Sequence, residues 1–210
     1  ITFTPSIGGV AMAQGQIHVH PTKSIDTFLN FSGANYVKLA STSTLSGLNT
    51  FSMEALIKPS STAACTSCVL MGKESEFLLA LNNTASTGNS GMNYQISYAL
   101  MPNIVGSTWT WFSTGVSVPV DIWTHVAFVK NNNQVSVYVN GILVYGASAT
   151  PYTLATSPNN STYAVPTTIT ANASSVFAIG ARQVGPGLTP NSYFTGGIDE
   201  VHIYSTAISQ

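Results

Sequence analysis

Residues 123–146 carry the pattern that most restricts how this chain can fold. They read WTHVAFVKNNNQVSVYVNGILVYG, three apolar runs of strand length separated by Asn-containing turns. Residues 130–133 supply the first turn and Asn140-Gly141 the second. Asn-Gly favours a two-residue hairpin because both residues tolerate positive φ. The segment therefore predicts a three-stranded antiparallel meander.

The rest of the 210-residue chain repeats this pattern and lacks helix-period segments of useful length. Short runs rich in Val, Ile, Tyr, Phe and Thr alternate with clusters of Gly, Pro, Asn and Ser, which is typical of an all-β protein. The predicted strands lie near residues 27–32, 35–40, 51–58, 68–73, 76–82, 93–99, 108–113, 123–130, 134–140, 142–146, 175–180 and 198–204. We predict an antiparallel β-sandwich over residues 27–210.

Two stretches stand outside this pattern. Residues 1–26 are predicted to form an extended N-terminal arm, and residues 147–174 a Ser/Thr/Pro-rich excursion from the sandwich. The arm either packs on its own sandwich as an edge strand or adds to the sheet of a neighbouring copy. His18 and His20 alternate along one face of the arm and could share a metal ion, but an exposed strand explains them equally well.

Charge is scarce in the sequence. Six basic and seven acidic residues give a net charge of −1, and charged residues make up 6% of the chain, against about a quarter in typical soluble domains. This excludes the basic surface that nucleic-acid binding requires, and no apolar run approaches the roughly 20 residues of a membrane span. Ile1 in place of Met suggests a processed, secreted chain.

With so few charges, the polar surface must consist mainly of Ser, Thr, Asn and Gln side chains, which suits a protein outside the cell. Five Asn-x-Ser/Thr sequons agree with this location and are glycosylation candidates. They are Asn30, Asn82, Asn159, Asn160 and Asn172.

The two cysteines form the motif Cys65-Thr66-Ser67-Cys68. We predict a short-range disulfide that pins a surface loop. A redox motif would need a following helix, which the sequence does not indicate, and a zinc site would need a second ligand pair nearby. Redox or metal chemistry stays open as the alternative.

Three phrases, in order, carry a family resemblance. The first joins residues 31–37 (FSGANYV) to 50–59 (TFSMEALIKP), the second joins 123–129 (WTHVAFV) to 137–141 (VYVNG), and the third runs from 194 to 204 (FTGGIDEVHIY). Over residues 28–209 the sequence resembles the laminin G-like, concanavalin A-like superfamily in its laminin G 3, pentraxin-like version. The resemblance implies a jelly-roll sandwich that works as an extracellular recognition or adhesion module, often glycan-binding.

The resemblance also implies one structural calcium ion. Asp199 lies in the third phrase, where a carboxylate would help to hold the ion against the segment that contains Asn35. Calcium prefers six to eight oxygen ligands, and Ala34-Asn35 stands here where many relatives carry acidic residues. The alternative is that Asp199 caps backbone amides at the start of its strand.

Most residues in these phrases have a structural interpretation. His125 is predicted to be a hydrogen-bonded scaffold residue and not a catalyst. A group of large side chains on adjacent strands is predicted to point inward, where burial of apolar area is greatest. These residues are Trp123, Val126, Phe128, Val135, Val137 and Val139.

Catalysis is not predicted. A retaining glycosidase, the enzyme class closest to this fold, needs two carboxyl groups about 5–5.5 Å apart. Of the seven carboxylates, Glu74 and Glu76 alone are spaced i, i+2, and they lie in a predicted turn beside Lys73, which favours a solvated pair. The nucleophile-elbow, phosphate-loop and HExxH motifs are also absent from the sequence.

Trp109 and Trp111 are the leading ligand-binding candidates, because they share one face of a predicted strand. The alternative places both indoles in the core. Tyr152, Tyr163 and Tyr193 are further candidates in loops that would rim one end of the sandwich. The sequence thus favours a secreted, non-catalytic module that binds glycan or an extracellular protein. The second hypothesis is a subunit of an extracellular filament or multimer joined through residues 1–26.

Overall fold

The computed structural model describes residues 27–39, 43–62, 67–83, 94–102, 109–147, 152–153, 162–163, 165–172 and 174–209. The predicted arm at residues 1–26, with His18 and His20, lies outside the described residues, as does much of the excursion at 147–174. Within the described ranges the chain forms fourteen strands and a short 3-10 helix at Ser43–Leu45. The strands are β1 (Leu29–Ser32), β2 (Val37–Lys38), β3 (Thr50–Pro59), β4 (Ser67–Lys73), β5 (Phe77–Asn83), β6 (Tyr94–Leu100), β7 (Thr110–Val118), β8 (Thr124–Asn131), β9 (Gln134–Val139), β10 (Ile142–Ala147), β11 (Tyr152–Thr153), β12 (Thr162–Tyr163), β13 (Phe177–Ile179) and β14 (Thr195–Tyr204).

Two six-stranded sheets make up the sandwich. The first sheet has the order β1-β14-β3-β8-β9-β10 and the second has the order β2-β13-β4-β5-β6-β7, while β11 and β12 pair separately. The pairings within both sheets are antiparallel, for example β14 with β1 and with β3. The predicted all-β antiparallel sandwich is confirmed, and the closing strand does return beside the first one. Among the described residues, no helix is long and apolar enough to cross a bilayer.

The predicted meander is present as β8, β9 and β10, all antiparallel, with an unbroken register between β8 and β9 and a register shift between Leu143 and Tyr145 in the β9–β10 pair. Asn132, Asn140 and Gly141 take φ values of 51°, 50° and 78°, the left-handed conformation that such turns require. The predicted strand at 108–113 is longer than expected, since β7 continues to Val118. Strands β11 and β12 were not predicted, because a strand of two residues is too short to show an alternating pattern.

Alternating side chains of the two sheets fill the core. In β3, for instance, Phe51, Met53, Ala55 and Ile57 point inward and are at most 1% exposed. Five of the six side chains predicted to face inward are confirmed there. Val126, Phe128, Val135 and Val137 are buried, and Val139 packs against them half-buried.

Trp123, the sixth, was predicted wrongly. Thr124 pairs with Ile57, which belongs to the core, so Trp123 one residue earlier faces outward. There its ring meets Phe28 edge-on with centroids 5.2 Å apart. It also lies over Gly197, where an added Cβ would approach the indole to 2.6 Å.

The predicted solvated pair of Glu74 and Glu76 is also wrong. Glu76 and Lys73 are fully buried and form an ion pair with Nζ 2.6 Å from Oε1. The Glu76 carboxylate also accepts hydrogen bonds from the Ser46 hydroxyl and from the backbone N–H groups of Gly47 and Asn172. These donors satisfy a charge that burial alone would make costly. The pair therefore ties the β4–β5 turn to two distant loops.

Candidate functional site

Trp109 and Trp111 lie on the outer face of the second sheet. Trp111 pairs with Ala99 on the neighbouring strand β6. Both half-buried indoles pack against a small cluster that is separate from the main core. That cluster consists of Val69, Leu78, Ala80 and Ala99. The two alanines leave room for the large rings above the sheet, so the core location considered for these tryptophans does not occur.

Glu74 joins the tryptophans to the loop that follows β13. Its side chain accepts a hydrogen bond from the indole Nε1 of Trp109 at 3.1 Å. Arg182 donates twice, from Nε to Oε2 at 3.1 Å and from Nη2 to Oε1 at 3.2 Å. The backbone N–H of Gln183 donates to Oε2 at 3.3 Å. Both carboxylate oxygens are therefore occupied, and Glu74 holds three parts of the chain together.

The Arg182 guanidinium also contacts the aromatic rings. Its Cζ lies 5.5 Å from the ring centroid of Trp109 and 5.9 Å from that of Trp111. Both distances fall within the cation–π range of about 6 Å. The indole centroids are 6.5 Å apart, with the planes inclined by 39°. We call Trp109, Trp111, Arg182 and Glu74 the tryptophan site. Its one positive and one negative charge cancel.

A shallow cleft of about 240 Å³ adjoins the tryptophan site and shares Glu74 with it. We call it the serine-lined cleft, because hydroxyl and amide side chains dominate its wall. Its lining residues are Glu74, Ser75, Asn172, Ser174, Ser175, Gln183, Pro186 and Leu188. Together the two parts offer half-buried aromatic rings at one end and short polar groups at the other.

Of the other aromatic candidates, Tyr193 is the one whose side chain the structure describes. Tyr193 packs against the cluster that contains Ala178, and its ring lies 6.5 Å from that of Tyr36. Tyr152 and Tyr163 are opposite each other in the β11–β12 pair. Their roles as ligand contacts stay predictions.

The two calcium candidates are not joined by any described contact. The Oδ1 atom of Asn35 already accepts hydrogen bonds from the backbone N–H and the hydroxyl of Ser32, so it closes a local turn. Asp199 lies on β14 opposite Leu56. Among the described residues, no group of three or more His, Cys, Asp or Glu is arranged to hold a metal ion. Calcium binding stays a prediction.

Part of the disulfide and sequon predictions falls on described residues. Cys68 is buried, whereas Cys65 lies outside the described residues, so the disulfide between them stays a prediction. Asn30 is exposed, and Asn82 and Asn172 are half-buried. Asn159 and Asn160 lie outside the described residues, so glycosylation stays a prediction for all five.

A second polar cluster occupies the outer face of the first sheet around Glu54. His125 Nε2 lies 3.3 Å from Oε2, and the Tyr204 hydroxyl donates to Oε1 at 2.8 Å. His202 Nδ1 lies 3.6 Å from Oε1. Burial raises the pKa of Glu54, but the hydrogen bonds from His125 and Tyr204 and the nearby imidazole charges outweigh it, so the pKa is lowered overall. His125 thus has the hydrogen-bonded position predicted for it.

Sequence reasoning missed the two residues that organise the tryptophan site. The sequence predicts a solvated Glu74, although the residue is 8% exposed, and the sequence pattern assigns no role to Arg182. One signal was available: Arg182 is the single arginine of a nearly uncharged chain. Arginine offers a planar fork that suits both carboxylate pairing and stacking on aromatic rings.

Comparison with solved structures finds the same fold in several proteins. A native heptameric pentraxin from Limulus polyphemus is 15% identical with a TM-score of 0.58, covering 86% of this chain and 76% of the pentraxin. A putative carbohydrate-binding protein from Bacteroides ovatus is 20% identical with a TM-score of 0.56, covering 86% of this chain and 43% of that one.

The CBM40 of a Ruminococcus gnavus IT-sialidase, solved with α2,3-sialyllactose bound, is 14% identical with a TM-score of 0.57 and covers 88% of this chain and 91% of that one. At these identities the likeness shows a shared fold. No curated protein matches the sequence. The laminin G 3 family model of the concanavalin A-like lectin/glucanases superfamily matches residues 31–210, and the chain therefore belongs to that family.

Proposed function

We propose that this protein is an extracellular, non-catalytic recognition module that binds glycan at the tryptophan site. The observation that carries the proposal is the pair of half-buried indoles on an outer sheet face, held by Arg182 and Glu74. Aromatic rings fixed in place bury the apolar face of a sugar ring without losing further side-chain entropy. The similar folds of a sugar-bound module and a putative carbohydrate-binding protein support this assignment.

The contacts of three of the seven carboxylates support a non-catalytic role. Glu74 accepts four hydrogen bonds, and Glu76 is fully buried beside Lys73. Neither group is placed to give or take a proton from a bound sugar, which general acid–base catalysis requires. The Glu54 carboxylate lies on the other sheet, where imidazole and phenol groups surround it.

The test is a glycan array probed with the wild-type protein and with Trp111→Ala. We expect the wild type to retain a defined set of glycans and the variant to lose them. Trp123→Ala is the matched control, since Trp123 is also a half-buried indole on an outer face, but on the first sheet. The proposal is wrong if the wild type binds no glycan, or if Trp123→Ala loses the same ligands while both variants stay folded by circular dichroism.

A second candidate function is a structural subunit of an extracellular assembly. It is favoured by β10, an edge strand of the first sheet in the described part of the chain. Ile142, Leu143 and Val144 are 66%, 52% and 39% exposed, and no charged residue interrupts the strand. Proteins usually protect such edges with charge or proline. The arm at residues 1–26 is the proposed strand donor to a neighbouring copy.

Electron microscopy of the full chain and of a chain without residues 1–20 tests this candidate. Ordered polymers that disappear on truncation would support assembly through the arm. Monomers from both chains would exclude it, and would leave the glycan-binding proposal standing.

A further inference from the structure

We infer that the ligand is a neutral glycan of at least two linked rings, one stacked on the tryptophan site and the next in the serine-lined cleft. This inference rests on the proposed function and adds the charge and the minimum length of the ligand. It follows from the continuity of the two parts, from the charge balance between Glu74 and Arg182, and from the size of the cleft.

Continuity is provided by Glu74 and Gln183. Glu74 accepts the indole hydrogen bond of Trp109 and also forms part of the cleft wall. Gln183 follows Arg182 directly, donates its backbone N–H to Glu74 and lines the same cleft. The tryptophan site and the serine-lined cleft are therefore direct neighbours that share Glu74.

Neutrality follows from the arrangement of the two charges. Arg182 is bound at two points by Glu74 and is 22% exposed at its side chain. An acidic ligand would have to compete with Glu74 for a guanidinium that already has a two-point partner. The remaining cleft residues carry no charge: they are Ser75, Asn172, Ser174, Ser175, Gln183, Pro186 and Leu188. Hydroxyl and amide groups of this kind suit the hydroxyls of an uncharged sugar.

The minimum length follows from the cleft volume. About 240 Å³ lies below the roughly 300–1,000 Å³ of pockets that enclose a drug-sized ligand. The cleft therefore has room for about one ring, and the two half-buried indoles serve a second. Two modest subsites on one rigid surface bind a linked pair of rings much more tightly than a single ring, since the second contact is intramolecular.

The test combines an array of neutral and acidic glycans with calorimetric titration of the strongest hit and its shorter fragments. We expect the glycans that bind to be neutral, and a two-ring fragment to bind at least about tenfold more tightly than one ring. The affinity should change little between low and high salt. Lactose and α2,3-sialyllactose form a matched pair on the array, since they differ by one acidic residue.

A cleft-filling variant, Ser174→Trp, locates the second ring. Ser174 is exposed, so the substitution leaves the sheets intact. Because Ser174 also completes the Asn172 sequon, wild type and variant are both produced without glycosylation. The substitution should then reduce two-ring affinity to the one-ring value while one-ring binding is retained. Ser205→Trp, at an exposed position after β14, is the control and should change neither. This inference is overturned by glycan hits that are mainly acidic and salt-sensitive, by equal affinity for one and two rings, or by an unchanged two-ring affinity of Ser174→Trp. In each of these cases, glycan binding that is lost in Trp111→Ala would still uphold the proposed function. Absence of any glycan binding would overturn both.

Discussion

Arg182 and Glu74 form a two-point ion pair across 108 residues of sequence, with nitrogen–oxygen distances of 3.1 and 3.2 Å. Glu74 lies in the turn between β4 and β5, and Arg182 lies in the loop after β13. The pair fixes this loop over the turn and places the guanidinium against both indoles. The geometry of the tryptophan site therefore depends on a contact between two segments far apart in the chain.

Arg182→Lys tests this dependence while keeping the charge. Lysine cannot donate two parallel hydrogen bonds or stack as a plane, so we expect the free energy of unfolding to fall by about 1–2 kcal/mol. We also expect weaker glycan binding, because the indoles lose their common contact. Urea unfolding measures the stability. Titration with the glycan, followed by the intrinsic tryptophan emission, measures the binding. Lys38→Met, at an exposed residue of β2, should leave both unchanged, and an Arg182→Lys protein identical to wild type would contradict the assigned role.

The sequence predicted much of the fold because the decisive signals are local. Asn140-Gly141 specifies its own turn, and the period-2 pattern of β3 or β9 identifies a strand without knowledge of its partners. The same pattern placed Trp109 and Trp111 on one face correctly. It could not say which face, because both faces of the second sheet carry apolar residues and alternation alone does not identify the core.

The errors share a physical cause. Glu76 is fully buried because its donors come from residues 46, 47 and 172, and no local pattern reveals such distant partners. Trp123 was assigned inward because it is large and apolar, yet the register of Thr124 against Ile57 turns it outward. Burial of a charge and orientation at a strand end are both decided by tertiary contacts, which a single sequence does not display.

Glu54→Gln should destabilise the protein in a pH-dependent manner. The pKa of Glu54 is lowered in the folded state from its ordinary value of 4.5. As pH falls, the unfolded chain therefore takes up this proton first, so the stabilisation is fully present above about pH 4.5 and is lost below it. We expect the variant to be less stable by about 1–2 kcal/mol at pH 7 and to approach the wild type in more acidic buffer. Melting temperatures from pH 7 to pH 3 measure the difference.

Glu200→Gln is the control for Glu54, because Glu200 is an exposed carboxylate on the same strand as His202. At pH 7 it should cost less stability than Glu54→Gln, because water screens the interactions of an exposed carboxylate. A Glu54→Gln protein whose deficit stayed constant down to pH 3 would show that the carboxylate charge is not what stabilises the cluster.

Lys130 should make stability rise with pH in the alkaline range. The side chain is fully buried, and its ammonium donates to the backbone carbonyl oxygens of Asn49, Asn132 and Thr167. Burial lowers the pKa of Lys130 from 10.5 to about 8. Between these values the unfolded chain holds the proton and the folded chain releases it, so the free energy of unfolding increases with pH. Chemical denaturation at intervals from pH 7 to pH 10 measures the increase.

Lys130→Met removes the titrating group and should abolish this rise. The variant should also lose about 2 kcal/mol at pH 7, because three carbonyl oxygens lose their donor. Lys58→Met, at a half-buried lysine of β3, should keep the wild-type pH dependence. A rise of the same size in Lys130→Met would assign it to another group.

Gly180 lies directly after β13 of the second sheet, and the ring of Phe31, from β1 of the first sheet, occupies the space that a side chain at Gly180 would need. Gly180 has a φ of +83°, and an added Cβ would lie 2.2 Å from Cε1 of Phe31, which is 2% exposed. Gly115 has a similar φ of +73° with nothing within 4 Å of such a Cβ. Gly115→Ala should therefore cost only the strain of the left-handed backbone, about 1–2 kcal/mol. Gly180→Ala should cost that strain and, in addition, about 1–3 kcal/mol for overpacking the core. Urea unfolding of the two variants separates the contributions, and equal losses would show that Phe31 moves aside without cost.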